Sequence, residues 1–189
     1  MPDTHPTLHP VIRRLWPNDG PAVEAYFLRL DPETRANRFM GALSDAAALT
    51  YAHGAMRAEG LMFGGFVDGV LRGLGELRPA SAPLPGFRLG VQAEAAFAVE
   101  KAYRRKGLGQ ALFRRIAAAA RNRGVRDLHV RCLPWNRPMR ELAVKVGADL
   151  RIVGGEADGA VHLPRFTPVS LWQEGVTEAV DFTLALTAA

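Results

Sequence analysis

The sequence predicts an α/β fold, one domain with a mixed central sheet flanked by helices, and three observations predict it. Two apolar runs, Leu61 to Val67 and Val70 to Leu77, are joined by Asp68-Gly69, a dipeptide that favours the tight turn of a β-hairpin. The stretch Ala93 to Leu112, AEAAFAVEKAYRRKGLGQAL, opens with the alternation of a buried strand and passes through glycines and cations into the apolar spacing of a helix. A further strand, Asp127 to Leu133, and a further helix, Asn136 to Val146, repeat that order. Strands separated by helices give a sheet whose middle can pair in parallel.

A chain of 189 residues is one domain by length and is long enough to bury a sizeable core. With 48% hydrophobic and 23% charged residues it is neither a disordered chain nor a membrane protein by composition. Residues 1–10 carry three prolines and read as a loose arm, residues 11–168 as the domain, and residues 169–189 as a C-terminal extension. Val11 to Trp16 is the first strand, and the turn residues Pro17 to Gly20 lead into a helix from Pro21 to Leu30, where Val23, Tyr26, Phe27 and Leu30 share one face. Asp31 caps a short helix with Pro32 at its first position. Ser44-Asp45 caps another that runs to about Arg57 and ends before Gly60. Pro79 to Gly90, with three prolines and no periodicity, is a surface loop beside the central strand. The last strands are expected at Leu150 to Val153 and Val161 to Phe166, turning around Glu156 to Gly159, before a terminal helix from Leu171 to Leu186.

Within the central stretch, Arg104-Arg105-Lys106-Gly107-Leu108-Gly109 lies where the strand gives way to the helix. The first N–H groups of a helix have no partner inside it and sit at the positive end of its dipole, so an anion can settle there. Two glycines admit a ligand where a Cβ would block it, and three consecutive cations add charge at the same spot. These residues make a phosphate cradle. Neither G-x-x-x-x-G-K-S/T nor G-x-G-x-x-G fits it, so the mononucleotide and dinucleotide loops are disfavoured.

The run from Phe97, Ala98 and Val99 through Arg104, Arg105, Lys106, Gly107, Leu108, Gly109 and Gln110 resembles the acetyl-CoA motif of the GNAT superfamily of N-acetyltransferases, R/Q-x-x-G-x-G/A after a strand. Arg104, Gly107 and Gly109 fill its defining places. A second block, Asn136 to Ala148, is similar to the family's N-x-x-M/A-x-x-L-x-x-K-x-G-F helix, with Ala148 in place of the final Phe. LDPETRANRFMGALS, Leu30 to Ser44, resembles the L-S-P-E-S-R-x-x-R-F region of GNAT domains in bacterial protein-lysine acetyltransferases. The resemblance implies a single-domain GNAT-like sheet whose middle strands splay around an acetyl-CoA cleft. It implies acetyl-CoA as co-substrate, no metal, and transfer of the acetyl group to a primary amine, of protein lysine or a small molecule, by direct attack. The backbone of Phe97 and Val99 would then pair with the pantetheine arm, and Arg104 to Gln110 would hold the phosphates. Asn136 would either contact the cofactor or serve only as a helix cap. Glu94, in a stretch that looks like A-E-x-A-x-x-V, would be the base.

An alkylammonium is only about one part in a thousand neutral at pH 7, so transfer gains from a base, and burial in apolar surroundings tunes a carboxylate for that task. Glu94 shares a strand face with Ala96 and Ala98, which leaves room for a ligand; the competing reading is an edge glutamate paired with a neighbouring arginine. Glu76 is a rival base or the end of a water relay, or else a solvated strand residue. The place of the general-acid Tyr of many family members is taken by Ala143, which keeps a non-catalytic acyl-CoA-binding regulatory module as an alternative. Cys132, the one cysteine, cannot form an internal disulfide and has His129 on the opposite strand face, so it is not read as a nucleophile. The five histidines lack metal-ligand spacing. A reducing compartment and an N-terminus without signal-peptide regions together lead to the expectation of a cytoplasmic protein. The charge of +5 is concentrated between Arg104 and Arg131, which suits a phosphorylated cofactor; nucleic acid is disfavoured because interleaved aromatics are sparse. The partners expected are acetyl-CoA and an amine acceptor, with no membrane. The identity of the amine and a homodimer stay open.

Overall fold

The computed structural model describes residues 10–81 and 89–187. Nearly all of the expected N-terminal arm, and most of the expected loop from Pro79 to Gly90, fall outside these residues. In chain order the elements are β1 (Val11–Arg14), α1 (Gly20–Arg29), α2 (Pro32–Phe39), α3 (Asp45–Ala55), β2 (Leu61–Val67), β3 (Val70–Pro79), β4 (Gln92–Val99), α4 (Leu108–Asn122), β5 (Asp127–Cys132), α5 (Arg137–Lys145), β6 (Asp149–Val153), β7 (Glu156–His162) and α6 (Pro168–Thr187). They form a seven-stranded sheet in the order β1-β2-β3-β4-β5-β7-β6. Every neighbouring pair is antiparallel except β4 and β5.

Local chemistry explains most of the boundaries. The Asp31 carboxylate accepts from Thr34 N at 3.0 Å, and the Ser44 hydroxyl from Ala47 N at 3.3 Å, so both caps satisfy a first-turn N–H. Asp68 and Gly69 take φ of 51° and 73°, the left-handed pair that a tight β2–β3 turn needs. The buried Arg35 donates to the carbonyls of Phe27 and Leu28 at the end of α1 and pairs with Asp45 of α3, which ties the first three helices together.

Two apolar layers sandwich the sheet. On one face Leu108, Leu112 and Ile116 of α4 pack against Phe63, Leu77, Ala95 and Leu128. On the other, Val23, Tyr26 and Phe27 of α1 and Ala48 and Ala52 of α3 pack against Met62, Leu74 and Ala98. Helix α4 approaches the sheet closely because the strands beneath it carry glycine. A Cβ on Gly65 would stand 2.5 Å from Leu108 Cδ1, and one on Gly75 2.6 Å from Ile116 Cδ1. Helix α6 docks by charge: Glu174 and Asp181 pair with Arg115, and Glu174 and Glu178 with Arg123. Two cations of the basic stretch are thereby matched inside the domain.

The structure corrects the expectation for the last hairpin. The turn is Gly154-Gly155, at φ of 60° and 86°, and β7 already starts at Glu156. Asp158-Gly159 lies inside that strand, where Gly159 relieves crowding rather than turning the chain, since a Cβ there would come 3.1 Å from Leu150 Cδ1. Glu76 is also not a solvated strand residue. Its side chain is 1% exposed and is held by Arg38, Arg78 and the Tyr51 hydroxyl. Burial opposes its ionisation, but the charges of Arg38 and Arg78 and the hydrogen bonds from Arg78 and Tyr51 outweigh it and hold the carboxyl below its ordinary value.

A depressed carboxyl pKa adds stability that is complete above the unfolded value, near 4.5, and is lost as pH falls through the folded value. Replacing Glu76 by Gln leaves two guanidiniums without their counter-charge, and the loss expected for breaking a buried pair is about 3–5 kcal/mol at pH 7. Thermal unfolding between pH 3 and 7 checks this: the variant should melt lower at pH 7 and fall less steeply below about pH 5. Equal melting temperatures at pH 7 would show that the cluster contributes nothing.

Candidate active site

The site is built on a fork in the sheet. Strand β4 follows β3 from Ala93 to Val99, and β5 follows β7 from Asp127 to Cys132, but β4 and β5 are in register at only three positions, ending at Glu94 opposite His129. Glu100 N donates to Arg72 O at 2.9 Å. Backbone groups alternate sides along a strand, so Ala96 and Ala98 also turn toward β3, while Phe97 and Val99 turn toward the side that β5 has left. The Val99 carbonyl accepts from Arg104 Nε at 3.1 Å. The Val99 N–H and the Phe97 backbone look into a cleft of about 460 Å³. Tyr26 steadies the diverging strand by donating its hydroxyl to the Ala98 carbonyl at 2.6 Å, and burial raises its phenol so that it stays a donor.

The cradle closes one end of this cleft. Gly107 precedes α4 at φ 87°, Arg105 stands at φ 62°, and the N–H groups of Leu108, Gly109 and Gln110 make up the first helical turn, which has no acceptors within the helix. A Cβ on Gly107 would meet nothing within 4 Å, and one on Gly109 would project toward Leu142 and Val99, at 3.5 and 3.8 Å. Arg104 donates to the Thr34 hydroxyl and the Val99 carbonyl, both neutral, and Arg105 pairs with Glu141 across the cleft mouth. Lys106 leans over the Tyr103 ring at 5.8 Å, and the Leu108 side chain is in the core. The other expected cofactor residues, Phe97, Ala98, Val99, Arg104, Arg105, Gly107, Gly109, Gln110 and Asn136, line the cleft together. Asn136 also caps α5, accepting from Met139 N at 3.3 Å, so capping does not remove it from the cleft.

Sequence reasoning missed the opposite wall, Thr34, Asn37 and Arg38 of α2. Its signal was present in LDPETRANRF, but nothing local marks which of those residues face a ligand. Glu94 stands at the last paired rung of the fork, 34% exposed and 3.8 Å from Arg131 Nη2, and is not among the residues that line the cleft. Ala143 is 1% exposed and places no hydroxyl in the cleft. Cys132 is buried, and burial raises its thiol. No group of histidine, cysteine and carboxylate among the described residues could hold a metal ion, and no described helix is long and apolar enough to cross a membrane.

The model of the acetyltransferase (GNAT) family matches residues 21–148, which contain the α2 wall, the fork, the cradle and α5. The chain belongs to the GNAT acetyltransferase family. An acetyltransferase of Pseudomonas aeruginosa is 31% identical over 143 residues, covering 74% of each protein. The GNAT domain of the S. lividans protein PAT superposes with a TM-score of 0.71 at 20% identity, covering 82% of this chain and 90% of that one. The yncA protein of Salmonella typhimurium, solved with its cofactor acetyl-CoA, gives 0.61 at 16% identity, covering 84% and 96%. At such identities these likenesses speak for the GNAT fold, with its open mixed sheet.

The two cradle glycines of this GNAT chain should behave differently when changed. Gly107→Ala forces a side chain into a left-handed conformation and should cost about 1–2 kcal/mol, despite the open space around it. Gly109→Ala, inside the helix at an ordinary φ, should be neutral or stabilising by up to about 1 kcal/mol. Denaturant melts of both variants check this, and the reverse order would contradict the backbone described here.

Proposed function

We propose that the chain is an acetyl-CoA-dependent N-acetyltransferase that passes the acetyl group to a primary amine by direct attack. The observation that carries the reading is the end of β4–β5 register at Glu94, which turns the backbone of Phe97 and Val99 toward a cleft bounded by the open first turn of α4. These residues fit the co-substrate. The edge of β4 offers backbone partners for the amides of a pantetheine arm, and the first-turn N–H groups with Arg104 and Arg105 would hold the pyrophosphate. When bound, acetyl-CoA supplies an acyl group activated as a thioester. Glu94, on the sheet face it shares with the small side chains of Ala96 and Ala98, takes the proton from the incoming amine. The buried Ala143 favours one competing reading, a regulatory module that binds acyl-CoA without turnover, and release of thiol with a panel of amines separates the two.

Acetyl-CoA at about 100 times its Kd should stabilise the folded protein by about 2.7 kcal/mol, a rise in melting temperature of roughly 5–10 °C. Gly109→Leu, which fills the space between β4 and α5, should abolish the rise. An undiminished rise in that variant would place the cofactor elsewhere.

Glu94→Gln keeps the shape and removes the base. Turnover near neutral pH should fall by about 10²–10⁴-fold and recover in part at high pH, where the free amine is abundant, while the acetyl-CoA thermal shift is kept. Turnover within about twofold of the parent would exclude Glu94, since general-base catalysis contributes more than that.

A further inference from the structure

Helix α2 forms the wall of the cleft that faces the cradle, and its Arg38 is fixed there by partners on α3 and β3. The side chain is 9% exposed yet borders the cleft. Its Nη2 donates to Glu76 and to the Tyr51 hydroxyl at 2.9 Å, which fixes the guanidinium in position. Nη1 has no hydrogen-bond partner among the described residues, and Nε is buried without one. The buried Nε groups of Arg35, Arg72 and Arg115 lack partners in the same way, so it is Nη1, on a guanidinium held at the wall of the cleft, that is left to meet an acceptor. Asn37, the next residue on α2, borders the same cleft, and its amide also has no partner among the described residues.

The placement relative to Glu94 makes this wall relevant to the acceptor. Glu76, which anchors Arg38, lies directly across from Ala96, and Ala96 is on the same face of β4 as Glu94 and Ala98. Two residues along a strand span about 7 Å, so the residue that anchors Arg38 lies one step along that face from the candidate base, although Glu94 itself is not among the residues that line the cleft. Arg38 and Arg78 share the single carboxylate of Glu76, so this cluster keeps one positive charge in excess beside the cleft. That excess repels polycations and attracts an anion attached to the amine.

We propose that Arg38 and Asn37 recognise a carboxylate on the acceptor, so that the enzyme acetylates small amino carboxylates in preference to polyamines or amidated lysine side chains. The proposal rests on the transfer reading given above and specifies its substrate class. A fixed guanidinium and an amide make a preorganised pair of donors for one carboxylate, and a site built around such donors discriminates strongly against the analogue that lacks the acceptor.

The test measures kcat/KM for thiol release from acetyl-CoA with matched pairs, glycine against glycinamide and γ-aminobutyrate against its amide, beside spermidine and an amidated lysine peptide. At least one carboxylate should exceed its amide, and spermidine and the peptide, by tenfold or more. In Arg38→Gln, which leaves the Glu76 carboxylate paired with Arg78, that ratio should fall to about twofold while the acetyl-CoA thermal shift is kept. Asn37→Ala, which leaves the cluster intact, should lower the ratio in the same direction and serves if the Arg38 variant does not fold. Amides, spermidine or the peptide used as well as the carboxylates would overturn the proposal and leave the transfer reading standing, as would a ratio that survives both substitutions. No turnover with any amine, beside a normal acetyl-CoA shift, would overturn the transfer reading and this one with it.

Discussion

The constraint on which the site depends is a conflict of strand partners. Strand β4 is bound along its length to β3, and β5 along its length to β7, and each sheet half twists with its own partners. The two halves agree only over Gln92 to Glu94 and then diverge. An open edge inside a sheet is normally a liability, because its N–H and C=O groups ask for partners. Here part of that demand is met from within. Arg104 takes the Val99 carbonyl, Tyr26 adds a bond to the Ala98 carbonyl, and what is left faces a cleft shaped for a ligand with its own amides.

Helix α4 completes the arrangement because of what lies under it. Glycines at positions 65 and 75 let Leu108 and Ile116 settle onto the strands, which brings the first turn of the helix to the end of β4 where the fork opens. The phosphate cradle and the open strand edge are thus two results of one packing. Arg104 joins them, since the same side chain contacts Val99 on β4 and Thr34 on α2. Through Thr34, which also donates to Asp31, the cap of α2 is linked to the cradle.

Features set by local chemistry were legible in the sequence. The Asp68-Gly69 hairpin, the caps at Asp31, Ser44 and Asn136, and the strand-to-helix passage at Arg104 to Gly109 each depend on residues a few positions apart. What escaped depends on groups distant in the chain. The cluster of Arg38, Tyr51, Glu76 and Arg78 draws on α2, α3 and β3, so Glu76 read as a surface residue although it is among the most buried side chains. The last hairpin was misplaced because two glycine-bearing signals compete there; the chain turns at Gly154-Gly155, both at positive φ, and Gly159 lies inside β7. Lys106 and Leu108 fit the motif as letters, yet one side chain covers Tyr103 and the other enters the core.

The most direct test of the account is the backbone amide spectrum of the protein titrated with acetyl-CoA. If the open edge of β4 carries the pantetheine arm, the N–H resonances of Phe97 and Val99 should move downfield, and by more than those of Ala96 and Ala98, which already face β3. Saturation with acetyl-CoA that left Phe97 and Val99 unmoved, with changes confined to the first turn of α4, would contradict the central claim that the fork in the sheet is the cofactor site.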